Sequence, residues 1–179
     1  MSVKSATARG LASGLEPAMV LLTTQNFSAV SSVSVDDVFS ATYDNYKLII
    51  TCLGSGFNDG RIRFRVGGVD ASGNDYKVAG QYQSSASAVW QNAGASEGVS
   101  FALVANYNSS TETANYVEIG TPFLTAKTNY IADVQQNGAS SLIIRNTGVY
   151  NLTTSFTGFT LLTSAGTITG RVSVYGYNK

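Results

Sequence analysis

The chain has 179 residues, of which 44% are hydrophobic and only 12% are charged. A chain of this length can form a single domain with a hydrophobic core. The share of charged residues is about half the usual value, which predicts that other subunits cover part of the surface. Eleven basic and eleven acidic residues cancel, which argues against nucleic-acid binding through phosphate neutralisation and against attraction to an anionic membrane.

The composition favours strands and tight turns, because Ser, Thr, Gly, Tyr and Phe are abundant and only two prolines occur. One cysteine, Cys52, excludes an intrachain disulfide, and its apolar surroundings in Lys47–Leu53 predict a buried, inert thiol. The longest apolar run near the N-terminus, Ala18–Leu22, is too short for a secretory signal or a membrane span. We therefore expect no membrane insertion.

The first element in chain order is a predicted N-terminal arm, residues 1–17. It is small, polar and glycine-containing, and its large apolar residues, Leu11 and Leu15, could share one helical turn before Pro17. Residues 18–179 form the predicted β-sandwich domain.

Short segments separated by turn signals predict about ten strands after the arm. Asp36–Phe39 could form one helical turn capped by a carboxylate. The cleanest alternation, Arg61–Val66, follows a predicted turn at Asn58–Gly60. The longest predicted loop is Ser84–Gly98, which holds the only tryptophan, Trp90. The predicted strands are 19–23, 29–35, 47–53, 61–66, 76–83, 99–105, 114–125, 129–135, 141–145, 156–162 and 167–177.

This series of short strands predicts an all-β fold, an antiparallel β-sandwich, in place of βαβ units around a parallel sheet. No stretch shows a sustained helical period. No internal repeat of fixed length occurs either, which argues against a propeller or a solenoid.

The residue types needed for common enzyme mechanisms are missing. The chain has no histidine, which removes the commonest general base, the Ser-His-Asp triad and the usual zinc or haem ligand. We expect no enzyme activity, no catalytic residue, no cofactor and no bound metal, although a carboxylate pair of the glycosidase kind stays formally open. Asp70–Asp75 is loosely similar to a calcium loop but lacks the trailing glutamate, so a plain hairpin turn is expected there.

Three arginines on one predicted strand are candidate binding residues. Arg61, Arg63 and Arg65 point the same way, because alternate residues of a strand share a face. They could capture an acidic ligand or pair with carboxylates such as Glu118 on another strand or subunit. Structural or intersubunit pairing is the favoured interpretation.

Three aromatic residues are the other candidates. Trp90, Tyr82 and Tyr107 could offer flat faces for stacking on sugar rings, although packing in the core or at an interface is the favoured interpretation for each. Long loops on rigid sandwiches carry recognition, so a binding surface is expected first in Ser84–Gly98.

Two stretches of the chain resemble a known protein family. The first is Phe39–Leu48 followed by Arg63–Val66, and the second is Phe156–Leu161 with Gly166–Tyr177, which closes in Gly-Arg-Val-Ser-Val-Tyr-Gly-Tyr. They are similar to small β-sandwich virion proteins of tailed bacteriophages, described as minor tail, fibre or head-decoration proteins. The resemblance covers most of residues 28–179.

The resemblance implies a jelly-roll-like module that forms a homotrimer on the virion surface and is made in the cytoplasm of the bacterial host. The arm with Leu11, Leu15 and Pro17 would fix it to other virion proteins, since a segment with little secondary structure can order on assembly. Trimer formation would also bury the apolar surplus.

Three functional hypotheses follow. The first is a tail or fibre protein whose distal loops contact a host-surface glycan. The second is a capsid decoration or head-fibre protein, which needs only the arm and a flat docking surface. The third is a free carbohydrate-binding module, which predicts a soluble monomer or dimer whose sugar affinity is lost in Trp90→Ala.

Overall fold

The computed structural model describes residues 17–87, 89–136 and 141–179. These residues contain no helix that is long and apolar enough to cross a membrane. The strands within these ranges are β1 (Met19–Val30), β2 (Ser32–Val35), β3 (Asn45–Gly54), β4 (Asn58–Val66), β5 (Val69–Asp70), β6 (Tyr76–Ser84), β7 (Gln91–Val99), β8 (Ala102–Tyr107), β9 (Thr113–Gly120), β10 (Lys127–Gln136), β11 (Leu142–Thr153), β12 (Gly158–Thr163) and β13 (Ile168–Tyr177).

The strands form two antiparallel sheets. The large sheet has eight strands in the order β1-β13-β3-β9-β10-β11-β6-β7. The small sheet has the order β2-β12-β4-β5, and β8 also pairs with β4. Two stacked antiparallel sheets confirm the predicted all-β sandwich.

Eight of the strands follow the connectivity of a jelly roll. The half-sheet β1-β13-β3-β9 is matched by β2-β12-β4-β8, so that consecutive strands such as β3 and β4 lie in opposite sheets. This arrangement is the double Greek key of an eight-stranded jelly roll. Two hairpins, β6–β7 and β10–β11, are inserted between jelly-roll strands and extend the large sheet beyond β9.

One hydrophobic core lies between the sheets. Its side chains come from alternate positions of the strands that face the opposite sheet, as the two-residue period requires. Leu48 and Ile50 of β3 are fully buried on the large sheet, and Ile62, Phe64 and Leu161 line the small sheet. The alternation seen in the sequence is therefore the alternation between core and surface.

Buried tyrosine hydroxyls connect the core to loop main chain. The Tyr76 hydroxyl accepts a bond from the Phe64 N–H at 2.9 Å and donates to the Ala71 carbonyl at 3.0 Å. The Tyr46 hydroxyl accepts from the Ser40 N–H at 2.8 Å and donates to the Ser40 carbonyl at 3.0 Å. Because each hydroxyl both donates and accepts, it satisfies main-chain groups that strand pairing leaves open.

Two predicted local structures are wrong. Residues 36–39 form no helical turn, because the Val38 and Phe39 N–H groups both donate to the Thr157 carbonyl, at 2.8 and 2.9 Å. Residues 58–60 are the start of β4, and the turn lies at 55–57. This position inside the strand requires glycine, because a Cβ there would lie 2.6 Å from the hydroxyl of Tyr107.

The predicted long loop Ser84–Gly98 is also wrong. β6 ends at Ser84 and pairs with β7, so that the connection spans only residues 85–90. Gln91–Gly98 are exposed, because this edge strand extends past the small sheet and has no buried face. A strand without a buried face shows no hydrophobic alternation, and the composition of β7 therefore looked like a loop.

Candidate interaction surfaces

The strand directions give the sandwich two distinct ends. At the proximal end, the first strand begins beside the end of the last, with Met19 opposite Tyr177. The proximal end comprises residues 17–18, 36–44, 67–75, 121–126, 154–157 and 178–179. The opposite end, which we call the distal end, comprises residues 31, 55–57, 85–87, 89–90, 108–112 and 164–167.

The predicted arm joins the sandwich at the proximal end. Pro17 is exposed, and its carbonyl accepts a bond of 2.6 Å from the side-chain amide of Asn178. Leu11 and Leu15 lie outside the described residues. The attachment point of the arm is therefore on the opposite end of the domain from the 85–90 connection.

The three candidate aromatic residues do not form one platform. Trp90 is 49% exposed at the distal end, whereas Tyr82 is half-buried on β6 and donates to the side-chain oxygen of Gln91. Tyr107 is fully buried, and this burial raises the pKa of its hydroxyl. Tyr107 is therefore packed in the core, in line with the favoured interpretation, and its ring, which fills the space over Gly60, offers no face for stacking on a sugar ring.

The three arginines lie on one face of β4, and each contacts a different partner. The Arg61 guanidinium lies 4.0 Å from the centre of the Phe101 ring and 3.4 Å from an oxygen of Asp59. The Arg63 Nε donates to the Ser100 carbonyl at 3.0 Å. Ser100 and Phe101, which lead into β8, therefore cover Arg63 and Arg61 from outside.

Arg65 is the centre of a polar network that we call the Arg65 network. Its guanidinium contacts Asp70 at 2.6 Å, Asp36 at 2.8 Å, Ser34 at 2.8 Å and Thr160 at 2.6 Å. The Thr160 hydroxyl in turn donates to Asp70 at 2.7 Å. These side chains come from β2, β4, β5 and β12 and from the segment after β2, so the network links every strand of one half of the small sheet.

Glu118 and the segment Asp70–Asp75 have structural roles. The hairpin turn expected at Asp70–Asp75 is wrong, because this segment connects β5 of the small sheet to β6 of the large sheet. Glu118 lies on the large sheet, where it pairs with Lys47 at 3.0 Å and accepts from the Tyr177 hydroxyl. Asp70, the first residue of the calcium-like segment, belongs to the Arg65 network. In residues 17–87, 89–136 and 141–179, no three His, Cys, Asp or Glu side chains could hold a metal ion.

The outer face of the large sheet, turned away from the core, carries exposed apolar side chains. Ile131 is 47% exposed and Ile143 is 56% exposed. Met19, Leu21 and Tyr116 add to the same face. The sequence contained the alternation of these residues with their neighbours, but it did not indicate which of the two faces of the sheet is buried.

Ion pairs on the outer face join residues directly opposite each other in neighbouring strands. The Arg145 guanidinium binds both oxygens of Asp133, at 2.7 and 3.0 Å, and this hydrogen bonding lowers the pKa of that carboxyl. The pairs on this face are Lys47–Glu118 at 3.0 Å, Asp133–Arg145 at 2.7 Å and Lys77–Glu97 at 3.1 Å.

A shallow groove of about 560 Å³ crosses the outer face over β6, β7, β10 and β11. Small residues form its floor, among them Ala79, Gly80 and Ala95, and Ile131 and Arg145 form its sides. The groove is open and mainly apolar, and a flat partner surface could therefore enter it.

Buried titratable groups predict alkaline unfolding. Burial raises the pKa of Cys52 from 9.0 to about 12, and it also raises the pKa of the Tyr76 and Tyr130 hydroxyls. The folded state holds these protons more tightly than the unfolded chain, so this stabilisation is complete below pH 9.0 and is lost as the pH rises to about 12. Circular dichroism and tyrosinate absorbance should change together over this range. Ionisation of every tyrosine near its ordinary pKa in an intact fold would contradict the assignment.

The fold and these surfaces define an all-β jelly-roll protein with an extended large sheet, two different ends and a broad, partly apolar outer face. Comparisons with protein-family models, with curated proteins and with solved structures found no match to this chain.

Proposed function

We propose that this chain is a structural component of a tailed-bacteriophage virion, a surface-displayed homotrimeric tail or fibre protein made in the host cytoplasm. The observation that carries the proposal is the separation of the two ends. The arm enters at Pro17, and the described residues at the opposite end form turns and connections. Strands of about ten residues at about 3.3 Å per residue put roughly 30 Å between the ends.

The distal end supports contact with a host-surface glycan. Trp90 and Phe57 are both exposed there, at 49% and 62%. Aromatic faces in water pack against the apolar faces of sugar rings, and connections on a rigid sandwich can present them without disturbing the core. The two residues lie on connections of different strands, so each offers a separate contact.

The arm is tested by deleting residues 1–16, which leaves every described strand in place. We expect the truncated protein to fold, with the circular dichroism spectrum and melting temperature of the full chain, and to be missing from purified particles. A Trp90→Ala variant is the control, because its change lies at the distal end and should leave incorporation intact. Normal incorporation of the truncated protein would refute the role of the arm.

The same particles decide between the proposed function and its rivals. Gold labelling over the tail supports a tail or fibre protein, and labelling over the head supports capsid decoration. The exposure of Trp90 also suits a free carbohydrate-binding module. A protein that binds sugar as a monomer and never co-purifies with particles would favour that module.

A further inference from the structure

We propose that the outer face of the large sheet is the surface through which copies of this chain meet, so that three such faces surround the trimer axis. The inference rests on the proposed homotrimer and assigns its contact surface. The partner is a second copy of the same sheet face.

The apolar content of the face is the first argument. The outer face of an antiparallel sheet that remains in water is usually polar. Here Ile131, Ile143 and Leu21 are each about half exposed or more, at 47%, 56% and 54%. Covering them with another copy removes apolar surface from water, which is favourable.

The charges of the face fit a second copy of itself. Each acid in the three ion pairs lies directly opposite its base in the neighbouring strand. The charges of these pairs therefore cancel within one protomer, so the pairs themselves add little like-charge repulsion when two faces meet. Arg171 of β13 is a further charged side chain on this face. Because each pair is neutral, the pairs do not attract a strongly charged partner such as a nucleic acid.

The size of the face is sufficient. Eight strands spaced by about 4.8 Å, each about nine residues long at about 3.4 Å per residue, give a face of roughly 1,000 Å². In a trimer each face is shared between two neighbours, so one contact buries about 500 Å² from each partner, or about 1,000 Å² in total, which reaches the lower limit for a specific interface.

The extended hairpin supplies an independent argument. In β7, Gln91–Gly98 are exposed on both sides of the strand, and this edge strand is joined to the large sheet through its pairing with β6. Its residues Ala93, Gly94, Ala95 and Ser96 are small, so the backbone of a neighbouring subunit can approach closely. The small sheet leaves this hairpin exposed, and a second copy of the chain would bury it.

The test is Ile131→Lys, measured by sedimentation equilibrium. Ile131 lies directly opposite Glu118 and Thr147, so a protomer accommodates the new ammonium beside a carboxylate, whereas an apolar interface would have to bury its charge. We expect the mass to fall from three chains to one, with an unchanged circular dichroism spectrum. The matched control is Val69→Lys, which changes a still more exposed apolar residue of the small sheet, at 68% against 47% for Ile131, and should leave three chains.

A thiol probe gives a second readout that does not depend on the charged variant. Cys52 is buried, so Thr147→Cys adds the reactive thiol on the outer face, and Ala165→Cys adds one at the distal end as a control. We expect a maleimide to label Thr147→Cys at least about tenfold more slowly than Ala165→Cys, since burial blocks access to the thiolate. In the Ile131→Lys background the two rates should become similar.

The outcomes separate the inference from the proposed function. A trimeric Ile131→Lys protein, or labelling of Thr147→Cys as fast as that of Ala165→Cys in a trimer, would overturn the assigned surface and leave the trimer standing. A wild-type chain that sediments as a single protomer would overturn both.

Discussion

Replacing Arg65 by methionine is expected to lower the free energy of unfolding by about 3 kcal/mol. The Arg65 side chain is only 13% exposed, and methionine keeps much of its volume but none of its donors. Asp70 would lose the 2.6 Å contact with Arg65 and keep only the Thr160 hydroxyl among its bonds in the Arg65 network. Chemical denaturation of the purified protein measures the loss.

The control for this prediction is Arg145→Met. The Arg145–Asp133 pair has equally short bonds, at 2.7 and 3.0 Å, but both side chains are more than half exposed. Exposed pairs contribute little because water already solvates the two charges. Because Arg145 lies on the face proposed to be covered in the trimer, both variants are compared in the Ile131→Lys background. We expect little change in stability for Arg145→Met there, and equal losses for the two variants would show that burial is not the source of the Arg65 effect.

Replacing Gly148 by alanine is expected to cost about 3 kcal/mol, because overpacking in a close-packed core forces main chain and side chains apart. A Cβ at Gly148 would collide with the carbonyl oxygen of Lys77 and lie 2.6 Å from a ring carbon of Tyr130. The ring cannot move freely, since its hydroxyl accepts the Leu103 N–H at 3.2 Å. The melting temperature and the midpoint of chemical denaturation should both fall.

Gly56→Ala is the matched control for Gly148→Ala. A Cβ at Gly56 meets only the side-chain amide of Asn58, at 3.5 Å, which is ordinary contact. We expect a change within about 0.5 kcal/mol, as at most surface positions. If the two alanine variants were equally stable, the close packing of Tyr130 on Gly148 would be contradicted.

The fold could be predicted wherever a strand has one buried face. The alternation of Arg61–Val66 and the apolar run Lys47–Leu53 both correspond to central strands, β4 and β3. β7 could not be predicted, because an exposed strand carries no hydrophobic period. The Asn58–Gly60 signal failed for a different reason, since packing against Tyr107 requires glycine there within a strand.

The surfaces were less predictable than the fold. That Arg61, Arg63 and Arg65 share a face followed from their spacing, but Thr160 reaches Arg65 only through the order β12-β4 in the small sheet. No local pattern encodes that order. The exposure of Ile131 also depends on which face of the sheet the core occupies, and this was unknown before the sheets were paired.

The closeness of Pro17 to Asn178 has a practical consequence for engineering. Because the chain leaves the domain where it enters it, a cargo fused behind Lys179 would crowd the attachment point of the arm. A cargo inserted between Ser164 and Gly166 would instead project from the far side. Joining the old ends by a short linker and opening the chain at that turn would give a circularly permuted display scaffold that keeps the same sheets.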